Sequence, residues 1–193
     1  MARSHARALL TTVAVLGLMA GLAAETREID AQRSKLTVHV YKSGLFSALA
    51  DNHVIEAPIG GGSVSEEQPL SVELAVRAAA LRVLDPGLSP SKRADVQTRM
   101  LGAEVLDVAK YPDITFVSTT VTPTAGDAWM VAGRLTIHGQ ARPLTVSVSR
   151  QSGSYRGSVD IKQRDFGIQP ISIAGGTVKV KDQLKIEFDI VLR

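Results

Sequence analysis

The sequence predicts an all-β protein, an antiparallel barrel or sandwich of about eight strands with one main α-helix. Three observations carry that prediction. A hydrophobic pattern of period two recurs along most of the chain, turn-forming residues punctuate it, and a single stretch of helix formers interrupts it. The 193 residues suit one domain.

The elements follow in order. Leu36, Val38 and Val40 alternate with Thr37, His39 and Tyr41, and Val72, Leu74 and Val76 alternate with Glu73, Ala75 and Arg77. Ile114, Phe116 and Ser118 form the next run, followed by Leu135 with Ile137 and by Leu144, Val146 and Val148. Val178 with Val180, then Leu184, Ile186 and Phe188, read as two late strands. Each run is short and amphipathic, as half-buried antiparallel strands are. Turns are expected at Gly60-Gly61-Gly62, Asp85-Pro86-Gly87, Thr122–Gly126, His138-Gly139, Ser152-Gly153 and Gly175-Gly176. The helix is expected over Ser91–Leu101, with Ser91 as N-cap, Val96 and Met100 four apart, and Gly102 as its end. Glu104–Lys110 suggests a further short turn before Pro112, and Gly44–Ala50 a helical turn capping the barrel.

Composition narrows the chemistry. The chain has no cysteine, which excludes disulfide frameworks, thiolate metal sites and Cys nucleophiles. Residues 1–24 carry Arg3 and Arg7, then an uncharged apolar run ending in Ala23-Ala24. These are the three parts of a secretory signal peptide, with cleavage expected after Ala23 or Ala24. The remainder, 25–193, is expected to form one domain in the periplasm or outside the cell, without stable membrane insertion after cleavage. Removing Arg3 and Arg7 from the 22 basic groups leaves 20 against 19 acidic ones, so the formal charge falls from +3 to +1. That balance, and a basic stripe Lys179, Lys181 and Lys185 without interleaved exposed aromatics, argues against a nucleic-acid surface.

A barrel of this size either packs its interior or encloses a small ligand. Aromatic residues are only 4% of the chain, and the inward positions are mostly Val, Leu and Ile. Such walls suit an apolar tunnel, although periodicity alone favours aliphatic faces that pack against one another.

Several stretches, taken in order, resemble the YceI-like family. They are Ile29-Asp30 with Ser34–Val38, Leu70–Leu74, Arg93-Ala94-Asp95 with Val105–Ser118, Gly133–Gly139, and Gln163–Pro170. Lys110-Tyr111-Pro112-x-Ile114-x-Phe116 and Gly133-x-Leu135-Thr136-Ile137-His138-Gly139 are specific in combination, and the resemblance spans nearly all of residues 26–192. It implies a lipocalin-like β-barrel that carries a polyisoprenoid, an isoprenoid quinone or a fatty-acid-like lipid along its axis. Lys42-Ser43-Gly44 and Asp51-Asn52-His53 depart from the family pattern and predict a different mouth.

No nucleophile elbow, phosphate-binding loop or dinucleotide fingerprint is present. His39 and His138 read as an exposed strand residue and a turn residue. Asp51 and His53, two apart, share a face of an extended segment. They are the basis of a rival reading as a metal- or His-dependent enzyme, and a solid-barrel protein-interaction module is a second rival. The reading adopted is a non-catalytic lipid binder with no cofactor and no metal, open to homodimerisation. Its expected lining is Leu36, Val38, Val40, Phe46, Val72, Leu74, Phe116, Leu135, Ile137, Val146 and Phe166. Lys42, His53 and Arg93 are the expected headgroup contacts at the mouth. The Arg164-Asp165 pair is expected to brace a strand end.

Overall fold

The structure is a computed structural model that describes residues 25–43, 52–173 and 178–193. The expected signal segment 1–24, the expected turn Gly44–Ala50 with Phe46, Asp51, and Gly175-Gly176 lie outside the described residues. Twelve strand segments and one α-helix are present among the described residues, in the order β1 (Thr26–Glu28), β2 (Lys35–Ser43), β3 (His53–Glu56), β4 (Ile59–Ser65), β5 (Ser71–Arg77), β6 (Arg82–Val83), α1 (Pro90–Leu101), β7 (Asp113–Pro123), β8 (Ala128–Ile137), β9 (Gln140–Gln151), β10 (Ser154–Lys162), β11 (Ser172–Ile173) and β12 (Val178–Ile190). The count exceeds the expected eight because β1, β3, β6 and β11 are only two to four residues long. The other strands are seven residues or longer.

All strands join one sheet in the order β1-β4-β5-β7-β8-β9-β10-β12-β2-β3-β6, with β11 added to β12. Every named pairing is antiparallel. β3 lies against β2, with Thr37 opposite Glu56, while β4 lies against β5, with Ile59 opposite Val76. Only Ala57 and Pro58 separate β3 from β4, and the Ala57 N–H still bonds the Leu36 carbonyl at 2.9 Å. One bent strand therefore joins the two sides of the ladder, and the sheet curls round on itself. At the terminal edge Ile29 bridges Leu192, which ties β1 to the segment after β12.

Three local expectations need correction. Gly60-Gly61-Gly62 is strand, not turn: it lies inside β4, with a register irregularity between Ile59 and Gly61. Gly62 has φ +150, and a Cβ there would overlap the Glu73 carbonyl; glycine permits the close approach of the two strands. The two late strands are one, β12, whose register against β2 shifts between Val180 and Leu184. Finally, α1 starts at Pro90, and its N-cap is Ser89 rather than Ser91, the Ser89 hydroxyl accepting the Lys92 N–H. Proline at the first helical position has no N–H to leave unpaired. Gly102 ends the helix as expected.

Gln97 fixes α1 to the sheet. Its amide accepts the Val83 N–H at 2.8 Å and donates to the Leu81 carbonyl at 2.7 Å, so one side chain satisfies the open edge at β6. A packed cluster including Ile55, Val83, Met100, Leu106 and Phe166 lies beneath the helix. A second, of Ile29, Ile59, Ile190 and Leu192, closes the terminal edge.

Candidate functional site: an apolar cavity with two polar ends

The strands enclose a cavity of about 890 Å³, near the upper end of the roughly 300–1,000 Å³ range of ligand pockets. Alternation places its walls. Leu36, Val38, Leu74, Phe116, Leu144 and Ile186 all border it, and none is fully buried although each points inward. In a close-packed interior such residues would be covered by the opposite wall; their residual exposure is to the lumen.

Two phenylalanines are laid against the wall. Gly157 on β10 faces Phe188 on β12 directly, and a Cβ at Gly157 would meet the Phe188 ring at 2.6 Å. Gly133 on β8 pairs with Ser118 on β7, and a Cβ there would meet the ring of Phe116, two residues along β7, at 2.5 Å. Each ring occupies the space a side chain would have filled, which keeps ring volume off the axis.

The end of the cavity beneath α1 is bordered by Lys42, His53, Lys92, Asp95, Arg99 and Lys179. His53 opens β3, and its Nδ1 lies 2.6 Å from Asp85 Oδ2. Asp85 is buried, and its other oxygen accepts the Val54 N–H at 2.8 Å. The carboxylate fixes the imidazole by holding the Nδ1 proton.

At the opposite end Glu66, Arg150, Tyr155 and Trp129 border the cavity. Glu66 takes a hydrogen bond from the Tyr155 hydroxyl and an ion pair from Arg27 at 2.7 Å, with Arg150 at 3.6 Å. Trp129 lies 5.6 Å from Tyr155, centroid to centroid. The Tyr155 and Arg27 contacts hold the Glu66 carboxyl below its ordinary range. Burial, and then the Glu66 hydrogen bond, push the Tyr155 phenol up to about 12. Between the ends, β12 runs six residues from Leu184, at the His53 level, to Ile190, opposite Tyr155. At about 3.3 Å per residue this is ~20 Å.

Ten of the eleven expected lining residues border the cavity; Phe46 lies outside the described residues. Lys42 and His53 also border it. Arg93 does not: its guanidinium reaches the Leu84 carbonyl at 3.4 Å. The reason is helical spacing. Lys92, Val96, Arg99 and Met100 share the face over the cavity, whereas Arg93 and Gln97, four apart, share the face toward β6. The carboxylate beside His53 among the described residues is Asp85, 32 residues on; Asp51 lies outside them. Arg164 is braced by Asp182 rather than by Asp165. His39 pairs with Glu187 on the outer face at 2.9 Å, and His138 packs on Tyr111 with ring centroids 4.3 Å apart. Among the described residues no group of three or more His, Asp or Glu is placed to hold a metal ion. No helix there is long and apolar enough to cross a membrane. The spacing of Lys92 and Arg99 about Val96 was the available signal for the first two missed mouth cations; Lys179, Asp85 and Glu66 had none.

Comparison with known proteins agrees with this architecture. A UPF0312 protein of Vibrio cholerae is 28% identical over 107 residues, covering 50% of this chain and 55% of that one. A UPF0312 protein of Azotobacter vinelandii is 33% identical over 89 residues, covering 41% and 46%. The chain thus spans about half the length of the curated relatives it matches. Among solved structures, Burkholderia cenocepacia BcnA aligns with a TM-score of 0.61 at 22% identity, covering 84% of this chain and 98% of that one. A variant of the Campylobacter jejuni YceI protein aligns at 0.52 and 13% identity, covering 68% and 80%. Both are similar in fold. The YceI-like domain model matches residues 28–192, so the chain belongs to the YceI-like family.

Proposed function

We propose that this protein is an exported, non-catalytic carrier that sequesters the hydrocarbon of a long apolar or amphiphilic molecule, of polyisoprenoid, isoprenoid-quinone or fatty-acid class, inside its barrel. The observation that supports this reading most is the cavity of about 890 Å³, apolar along its length and polar only at its ends. Each methylene moved from water into such a lumen contributes about 0.8 kcal/mol. A tail spanning the barrel therefore outweighs the cost of ordering it. Export rests on the pattern of residues 1–24, and the periplasm or the cell exterior is the compartment it implies.

The test is organic extraction of the purified protein followed by mass spectrometry of the extract and of the intact chain. The expected result is a stoichiometric lipid with one hydrocarbon chain, and a polypeptide beginning at Ala24 or Glu25. A lipid-free extract, combined with failure of the stripped protein to take up prenyl or fatty probes, overturns the carrier reading. A stoichiometric metal in the protein would favour an enzyme instead.

A further inference from the structure

We propose that the outer rim of the barrel at the α1 end is a docking surface for an anionic lipid bilayer, seated through the loop Leu84–Ser89 and a belt of cations outside the cavity. The carrier reading concerns what the lumen holds; the docking surface goes beyond it, to where the protein meets a membrane. The loop joins β6 to α1. Along β6 Leu81 and Val83 are buried while Arg82 and Leu84 face out, and an outward strand position ordinarily carries a polar residue. Leu84 is instead 42% exposed. Pro86 beyond it is exposed, and Leu88 borders the cavity, so apolar side chains lead from the outer surface over the rim into the lumen. The backbone holds them there: the Leu84 N–H bonds the Val54 carbonyl at 2.8 Å, the Leu88 N–H bonds the Asp85 carbonyl at 3.1 Å, and the buried Asp85 carboxylate anchors the turn on His53 and Val54.

A lone exposed leucine is ordinary; the charge around this one decides its reading. The Arg93 guanidinium reaches the Leu84 carbonyl at 3.4 Å, and Lys162, Arg164 and Lys181 line a surface groove beside the cavity. Register brings them to the same end of the barrel. Lys162 follows Ile161, which pairs with Leu184; Leu184 pairs with Val40, and Val40 with His53, one residue from the Val54 carbonyl that holds Leu84. The strands concerned, β10-β12-β2-β3-β6, are neighbours, so loop and groove lie within four strand spacings of about 4.8 Å each. None of these four cations borders the cavity, so their charge acts on the surroundings rather than on a cargo. Asp165 and Asp182 offset part of it, Asp182 standing 3.8 Å from Arg164, which leaves the belt net positive. At the opposite end Arg27, Arg150 and Arg193 meet Glu66 and Glu28. Cations flanking an insertable apolar side chain are what an anionic bilayer binds. A protein partner would need a shaped patch burying about 800 Å² on each side, whereas a fluid surface accepts a protruding loop. In that seat Leu88 leads from the acyl region into the lumen, and hydrocarbon passes between them without crossing water.

The test uses lipid-stripped protein beginning at Ala24 or Glu25, with vesicles of phosphatidylcholine alone or with one quarter phosphatidylglycerol. Sedimentation at low salt should show binding to the anionic vesicles about tenfold tighter than to the neutral ones, and the difference should shrink as salt is raised. Lys162→Gln/Lys181→Gln should weaken the anionic binding about tenfold, and Leu84→Ser about threefold. Both variants should take up palmitate from solution as the parent does, because none of the three residues borders the cavity. The chain has no cysteine, so a polarity-sensitive dye can be attached to Leu84→Cys or, in the hairpin at the opposite end, to Gln151→Cys. On anionic vesicles the dye should brighten in the first and stay unchanged in the second. Equal binding to both kinds of vesicle, or an equal dye response at both ends, overturns the docking surface. Binding to neither vesicle overturns it as well and leaves the cations to an acidic protein partner. Vesicle docking by a parent protein that takes up no prenyl or fatty probe overturns the carrier reading and leaves the docking surface standing.

Discussion

The Tyr155–Glu66 hydrogen bond couples two titrations at one end of the barrel. Burial and Glu66 raise the phenol to about 12, whereas an unfolded tyrosine ionises near 10. The folded chain holds that proton more tightly, so the stabilisation is complete below about 10 and is lost as pH rises toward the folded value. Glu66 acts with the opposite sign. Its carboxyl is held low by Tyr155 and Arg27, so its contribution is present above the unfolded value and is lost as pH falls through the folded one. Alkaline titration of the three tyrosines should show one late tyrosinate that is missing in Tyr155→Phe and displaced toward ordinary values in Glu66→Gln. An unchanged titration in Glu66→Gln would refute the coupling. Little of this was legible in the sequence, because the partners are 89 residues apart. His53 gives the same lesson. No spacing in the sequence pointed to Asp85, yet the pairing of β3 with β6 brings in the turn that carries it, and its buried carboxylate reaches both His53 and Val54.

Elements were legible where alternation was clean and lost where a strand breaks its own pattern. β2, β5, β7, β8 and β9 were visible because every second residue is apolar; β4 was not, because its three glycines read as a turn and their role in close strand approach depends on Glu73 and Ile29. Gln97 looked like an ordinary helix residue, yet it makes two bonds between α1 and the sheet edge. Gln97→Ala should cost about 2 kcal/mol through two backbone groups left without partners. Hydrogen exchange in α1 and release of bound probe should both accelerate; unchanged exchange would mean that packing alone holds the helix. On the opposite wall, Gly157→Val forces the Phe188 ring out of its place. The variant should bind long-chain probes at least tenfold more weakly, and adding Phe188→Ala should restore much of the loss by vacating the ring's volume. No recovery in the double variant would show that the glycine serves the strand rather than the lumen.

At the scale of the whole molecule, period-two alternation tells which side chains point inward but not whether opposite walls meet. The low aromatic content was the compositional hint that they do not, and its structural counterpart is the pair of rings that take the space beside Gly133 and Gly157. Closure was less legible, since it depends on one strand bending at Ala57-Pro58 to serve β2 at one end and β5 at the other. A hollow barrel and a packed one respond to added volume with opposite signs. In a filled core, enlarging an inward residue forces off-rotamer side chains and costs about 1–3 kcal/mol. Leu74 and Leu144 border the lumen with their side chains partly uncovered, so Leu74→Trp and Leu144→Trp should gain contacts and raise the melting temperature of the lipid-stripped protein. The same variants should lose the stabilisation that cargo confers on the parent chain, about 2.7 kcal/mol at a ligand concentration a hundredfold above its Kd. At this chain length that corresponds to a shift of roughly 5–11 °C. Calorimetry of stripped and reloaded protein decides the matter: lower stability in both tryptophan variants, with no shift on reloading the parent, would mean that the walls meet in solution and that the barrel is solid.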